Sequence, residues 1–365
     1  MFLTIPYNDG MKQIIMLLMM LVPYLNASAL TLLPNKASVV MSGLNHPWSI
    51  VFLAQNKQLI SQRNGDLLLI NKHQKIPLKL PIDDIYASGQ GGLLDLALDP
   101  NDNKTRWIYL SYSKRNSEND ATTALVRFQL KNQKISNWQN LYTAKPYLDT
   151  SVHFGGRIAF DKQGYLYLSV GDRGNRKLAQ NTNNDIGKIL RLNPEGSTPE
   201  DNPFNNAIYS YGHRNPQGLI FFNKQLISHE HGPRGGDEIN IIEPNKNYGW
   251  PIISYGKEYF SFRQVGIGTH KDGMQQPIHQ WTPSIAPSGL SAIQNKDDTT
   301  TLFIGSLKFQ RLHQLTLKNN QILSEQTHLN QQFGRIRDAR IHNNHLYLLT
   351  DDGAGKLVSI PIVQK

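Results

Sequence analysis

Residues 229–240, HEHGPRGGDEIN, place two histidines, a Gly-Pro, a Gly-Gly and an acidic pair within one short stretch. Asp237 and Glu238, together with main-chain carbonyls of a Gly-Pro turn, are hard oxygen donors of the kind calcium takes. His229 and His231 alternate along a strand and so share a side, where two imidazoles could instead hold zinc or copper. A polar surface turn is the competing reading, because Gly, Pro and Asp punctuate turns in most proteins. A second group of residues is scattered along the chain: His153 in HFGGR, Arg214 and Asn215 in GHRNPQ, Lys308 in GSLK, and Arg335 and Arg337 in GRIRD. Guanidinium groups meeting at one pocket suit a ligand with several carboxylates or phosphates. A histidine among them is disfavoured from protonation by the nearby positive charge, which fits it to act as a general base. No Walker loop and no dinucleotide fingerprint leading into a helix occurs, so nucleotide cofactors are not expected.

What could bring such distant residues together is a repeat. A unit of short apolar strand, polar turn, second strand, polar loop and third strand recurs six times. The copies open at Trp48 (WSIVFLAQNKQLISQRNGDLLLI), at Leu93 (LLDLALDP), at GRIAFDKQGYLYLSVGDRG, at QGLIFFNKQLISHEHG, at SGLSAIQ and at IRDARIHNNHLYLLTDD. Fainter fourth segments such as KIPLKL and NWQNLYT follow. The pattern predicts an all-β, six-bladed β-propeller with blades of four antiparallel strands. The segment KASVVMSGL is left to pair as the outer strand of the last blade, closing the ring. Strands alternate in direction within a blade, so the loop before the first strand and the loop between the second and third share one face. That face is expected to gather His153, Arg157, Asp172, Arg173, His213, Arg214, Asn215, His229, His231, Lys308, Arg335, Arg337 and Asp351 around the axis.

Residues 1–29 contain MKQIIMLLMMLVPYLNASA, an apolar run with one lysine and a small-residue ending, which reads as a secretory signal peptide, with Met11 as an alternative start. Residues 30–365 are then one catalytic domain, periplasmic or secreted, with no stable membrane span after cleavage. The chain has a formal charge of +10, but its Lys and Arg form no polybasic run, so nucleic acid is not an expected partner. It has no cysteine, which excludes disulfide staples, zinc-thiolate sites and thiol nucleophiles.

The motifs GQGGLLDLALDP, HFGGRIAFD, GYLYLSVGDRG, GHRNPQGL, EHGPRGGDEINII, NYGWP, APSGL, GSLK and GRIRD resemble those of the soluble pyrroloquinoline-quinone (PQQ)-dependent aldose sugar dehydrogenases, the group that includes glucose and sorbosone dehydrogenases. The resemblance runs from about Gly43 to Ile360 and implies a six-bladed propeller carrying the quinone on its axis. It implies that His153 is the base taking the proton from the anomeric hydroxyl of an aldose while hydride passes to PQQ, giving a lactone. It implies further that Gln90, Arg214, Asn215, Tyr259, Ser306, Leu307, Lys308, Arg335, Ile336, Arg337 and Asp351 hold the cofactor. The carbonyls of Gly232 and Pro233 match a calcium site at the quinone, and Glu238 with the carbonyl of Tyr248 matches a second, structural Ca2+ site. Val152 stands where the glucose-preferring branch has an acidic residue, which points to a broader aldose range. The electron acceptor is left unidentified. Two other readings stay open from sequence: a calcium-dependent lactone hydrolase, and a non-catalytic propeller that binds an anionic ligand.

Overall fold

Apolar runs and alternating runs sort the strands by depth. The computed structural model describes residues 30–53, 57–72, 74–102 and 106–364; the expected signal peptide lies outside them. Strands of mainly apolar or small side chains, such as Leu166–Val170, are buried along their whole length, and so is Gly155–Phe160 even though it carries Arg157. Strands with interspersed charge, such as Lys134–Thr143 and Gln321–His328, lie outermost and are largely exposed. Six antiparallel sheets result, and five of them take their four strands in chain order from axis to rim. The innermost strands are Pro47–Phe52, Leu93–Leu98, Gly155–Phe160, Pro216–Phe222, Pro287–Gln294 and Ile336–His342. Each packs on the next, and the last packs on the first. The chain is therefore a six-bladed β-propeller, as the repeats predict.

The sixth blade is shared by both ends of the described chain. Ser38–Leu44 pairs antiparallel with the strand Gly355–Gln364, so the KASVVMSGL segment closes the ring where it was expected to. A second short strand, Leu30–Leu32, extends the same edge by pairing with Ile362–Gln364, which the sequence reading did not anticipate. The apolar core is divided among the six blade interfaces. Leu59, Leu69, Leu96 and Phe128, for example, fill the space between blades 1 and 2, and Phe303, Leu312, Leu346 and Val358 that between blades 5 and 6.

The axis itself is polar. Arg157 of blade 3, expected at the mouth, is fully buried on the axis instead. Its Nη1 donates to Asp338 of blade 6 at 2.9 Å and to Asp95 of blade 2 at 3.3 Å, and its Nε donates to the carbonyl of Gln217 in blade 4 at 2.8 Å. Arg340 completes the cluster from blade 6, donating to Asp95 at 2.6 Å and Asp338 at 3.0 Å. Two arginines thus face two aspartates, and no net charge is left buried. Burial pushes Asp338 up, but the guanidinium groups of Arg340 and Arg157 outweigh it and leave the carboxyl below its ordinary value. Removing one member strands a buried charge, which costs about 3–5 kcal/mol. Arg157→Met is expected to lower unfolding stability by about that amount, read from the denaturant midpoint.

Candidate active site

Each of the six inner strands breaks register near one end: between Pro47 and Ser49, Leu93 and Leu96, Gly155 and Ile158, Pro216 and Gly218, Ser288 and Leu290, and Ile336 and Asp338. Such bulges bend a strand and re-aim its side chains. Here the ends they mark surround a cavity of about 320 Å3 on the axis. Its lining comes from the loops before the first strands (Gln90, Phe154, Gly155, Asn215, Ala286, Arg335) and between the second and third (Arg63, His231, Leu307, Lys308). Trp48, Leu94, Gln217 and Arg337 complete it. The expectation that both loop sets share one face is met.

His153 is not itself a lining residue but adjoins two that are, its chain neighbour Phe154 and its hydrogen-bond partner Gln90, and it has a backbone φ of 52°. Two glycines make that position possible. A Cβ at Gly171 would lie 2.1 Å from the carbonyl oxygen of His153, and one at Gly155 would lie 2.8 Å from that of Ser169. The backbone N–H of His153 donates to Gln90 Oε1 at 2.8 Å. Its Nδ1 lies 2.7 Å from Asp172 Oδ1, and Asp172 Oδ2 accepts from Trp250 Nε1 at 2.7 Å. Burial raises the Asp172 carboxyl, but the bond and charge of His153 and the charge of Arg214 more than reverse this, so it is ionised and only accepts. The proton of neutral His153 therefore sits on Nδ1, and Nε2 is free to take one. Burial and the neighbouring Arg214 lower the pKa of His153 below its usual value, against the opposing pull of Asp172. A neutral imidazole with a fixed tautomer is what proton abstraction needs.

The cations converge. Arg63, Lys308, Arg335 and Arg337 line the cavity, and Arg214 lines the small adjoining one, with His231 between the two. Asp351 is the carboxylate that assembles them: Oδ2 accepts from Arg337 at 2.7 Å and Arg335 at 3.3 Å, while Oδ1 faces His46 at 2.9 Å and Arg63 at 3.9 Å. Burial acts to raise its pKa, and Arg337, Arg63 and His46 drive it far below the usual carboxylate range. Three guanidinium groups share that single carboxylate, and the Nε of Arg337 is buried without a hydrogen-bond partner. The pocket is thus built to receive anionic oxygens.

The stretch HEHGPRGGDEIN divides its roles. His229 Nε2 donates to the carbonyl of Gly289 at 3.0 Å and His231 Nε2 to that of Pro287 at 2.8 Å, so both imidazoles tie blade 4 to blade 5. Burial pushes His229 down to about 3, so it is neutral. Asp237 is not a free oxygen donor: it accepts from the backbone N–H groups of Gly232, Ile285 and Ala286 and from the Ser284 hydroxyl, all within 2.9 Å. Glu238 differs. It faces Glu230 across the strand pair, and the two line a cavity of about 20 Å3 with Gly232, Tyr248 and Trp250. Burial and the Glu230 charge raise Glu238 to about 8, and the Oδ1 of neighbouring Asn240 is buried without a partner. Both Glu230 oxygens are taken, by His213 Nδ1 and the Arg214 N–H, so Glu238 is the carboxylate acceptor that this ion-sized space leaves for a hard cation. Pro233 is buried beside Gly256.

Of the remaining expected residues, Tyr259 lies at the rim with its hydroxyl 3.4 Å from Arg214 Nη2. Ser306 and Ile336 are buried in inner-blade packing away from the cavity lining; the Ser306 hydroxyl donates to the carbonyl of Ile285. His213 is held by Glu230 and Ser210 and stacks on Tyr248, which removes it from the mouth. The sequence reading did not assign roles to Trp48, Arg63 and Gln217 or to Asp172 as the partner of the base. Their signals were present, since Arg63 and Asp172 lie in the loops SQRNG and GDRG.

Fold and pocket together define a six-bladed propeller with a histidine–carboxylate pair next to a cation-lined axial cavity. The sequence profile of the Glucose / Sorbosone dehydrogenase family matches residues 44–359, and the chain belongs to that family. It is an oxidoreductase acting on sugars. Aldose sugar dehydrogenase YliI of Escherichia coli is 37% identical over 341 residues, covering 88% of this chain and 91% of that protein. Quinoprotein glucose dehydrogenase B of Acinetobacter calcoaceticus is 32% identical over 74% of this chain and 63% of that protein. The apo-form crystal structure of the E. coli aldose sugar dehydrogenase superposes with a TM-score of 0.85 at 35% identity, covering 92% of this chain and 100% of that one. The PQQ-bound aldose sugar dehydrogenase of Streptomyces coelicolor gives 0.75 at 27%, covering 91% and 100%.

The imidazole–carboxylate pair yields a prediction with a defined sign. In ligand-free protein, NMR titration of His153 is expected to give a midpoint below 6.5, and in Asp172→Asn a lower one still, because a group favouring the charged ring has gone.

Proposed function

We propose that this chain is an exported, PQQ-dependent dehydrogenase that oxidises the anomeric carbon of aldoses to lactones. The observation that carries the reading is the placement of a neutral, tautomer-fixed His153 beside a cavity lined by Arg63, Lys308, Arg335 and Arg337. Those cations, the unpartnered Nε of Arg337 and the amides of Gln90, Asn215 and Gln217 fit a tricarboxylated quinone. The carbonyls of Gly232 and Pro233 would hold one calcium ion, and Glu238 with the Tyr248 carbonyl a second, in keeping with the acceptor set around Glu238. When bound, the quinone supplies a two-electron hydride acceptor and calcium supplies Lewis acidity.

The chain's own residues do the rest. His153 Nε2 takes the proton of the anomeric hydroxyl as C1 gives up its hydride. Asp172 stabilises the imidazolium that forms and keeps the ring from turning, and Trp250 holds Asp172. Gln90 fixes the backbone of the base from blade 2. The rim aromatics Tyr259 and Phe262, each about half exposed, offer faces to the C–H surface of a sugar. Trp250 and Trp281 are buried in packing and offer no such face. Val152 in place of a carboxylate before the base supports a broad aldose range. Electrons then leave to an acceptor outside the chain. Among the described residues no helix is long and apolar enough to cross a membrane, and the apolar leader in the sequence supports export to the periplasm or beyond.

A lactone hydrolase would want carboxylates and amides around an axial ion, and here the axial cavity is cationic. Titration of metal-free protein with PQQ and calcium, followed by dye reduction with a panel of aldoses, tests the reading; no dye reduction with any aldose would reject it. In the reconstituted enzyme, His153→Gln is expected to lower kcat by about 100-fold or more while quinone absorbance on binding is kept. Chelation of calcium is expected to abolish turnover and to be reversed by adding the ion back.

A further inference from the structure

Arg173 has no place in the chemistry described so far, yet it is fully buried one residue from Asp172. Its guanidinium Nη2 donates to the carbonyl of Thr150 at 2.5 Å and to that of Ala121 at 3.3 Å, and Nη1 donates to the carbonyl of Val152. The plane lies over the Phe154 ring, with Cζ 3.4 Å from its centroid. The backbone of Arg173 joins in: its carbonyl accepts from the Thr150 hydroxyl at 2.8 Å, and its N–H donates to the carbonyl of His153 at 3.3 Å. Every residue from Thr150 to Phe154 except Ser151 therefore touches Arg173. Ser151 is taken from the other side, where its carbonyl accepts from the Gln90 N–H at 2.8 Å.

Among the described residues no carboxylate pairs with this guanidinium; its hydrogen bonds run to main-chain carbonyls, and its buried Nε has no partner. Burial lowers its pKa to about 9, only partly offset by Tyr86 and Asp172. A buried cation paired with neutral carbonyls is a costly way to stabilise a loop. The arrangement is accounted for by what the loop carries. His153 holds a left-handed backbone conformation, unfavourable for a residue with a Cβ, so it persists only where its surroundings over-determine it.

We infer that Arg173 is a positioning residue for His153: its planar fork ties two carbonyls of the Thr150–Phe154 loop, those of Thr150 and Val152, to the carbonyl of Ala121 and so fixes the imidazole against Asp172. Lysine cannot do the same, since one ammonium lacks the flat, divergent donors that reach three carbonyls while stacking on a ring. The inference rests on the reading of His153 as the base.

The test is Arg173→Gln, with Arg173→Lys read in the same way should the first variant fail to fold. The first readout needs no cofactor: in ligand-free wild-type protein the His153 Nδ1–H bonded to Asp172 gives a single downfield resonance, which is expected to broaden or vanish in the variant. The second is turnover after reconstitution, where kcat is expected to fall about 10–100-fold, as misplacing a reacting group by about 1 Å does, with the aldose KM within about twofold. A variant that keeps the Nδ1 resonance, or one that loses it without losing kcat, overturns the inference. Unchanged turnover in His153→Gln would instead overturn the base assignment, and the two failures are told apart by which variant shows them.

Discussion

Charge balance on the propeller axis is the constraint that the rest of this molecule depends on. Six blades can bury their apolar faces against one another and still leave a hole where the inner strands meet, because the strand faces are spent at the interfaces. Arg157, Asp95, Asp338 and Arg340 fill part of that hole with two charges of each sign. A guanidinium suits the place because its donors diverge, so Arg157 meets blades 2, 4 and 6 at once. The Trp48 ring, 4.0 Å from the Arg157 carbon, also lines the cavity. Structural and functional cations therefore share a single column, and each set keeps its own carboxylates.

The same principle governs the mouth. Asp351 collects Arg335, Arg337 and Arg63 and bonds His46, and one carboxylate cannot neutralise three guanidinium groups. The imbalance is tolerable at the cavity and would not be tolerable deeper on the axis, where Arg157 and Arg340 are matched by Asp95 and Asp338. Charge left over at the surface end of the axis makes the pocket electrostatically suited to an anion. His153 uses the surplus differently: with Arg214 nearby, the ring stays neutral while Asp172 fixes which nitrogen holds its proton.

Fold was legible in the sequence because a propeller repeats a local pattern, and each copy restates the same strand lengths and turns. The alternation of strand direction then placed the loops on one face without any long-range information. Less legible was which arginine in those loops faces solvent and which faces protein. Arg157 and Arg335 both lie next to a glycine and near a strand start, but a bulge of one residue decides whether a side chain enters the axis or the mouth. Similarly, Asp237 and Glu238 are adjacent and chemically alike, and only the neighbouring 284–286 turn shows that the first is consumed by backbone N–H groups. The role of Asp172 was hidden because its partner lies nineteen positions away across a blade.

The shared sixth blade sets an order of events for the chain. Its inner three strands are made last and its outer strands first, so the circle stays open until the final residues join those near the start. Earlier blades can stack as they emerge, but the first and last interfaces wait for the whole polypeptide. A nascent chain therefore keeps an unpaired flank on its first blade until Gly355–Gln364 is made and meets Ser38–Leu44 and Leu30–Leu32.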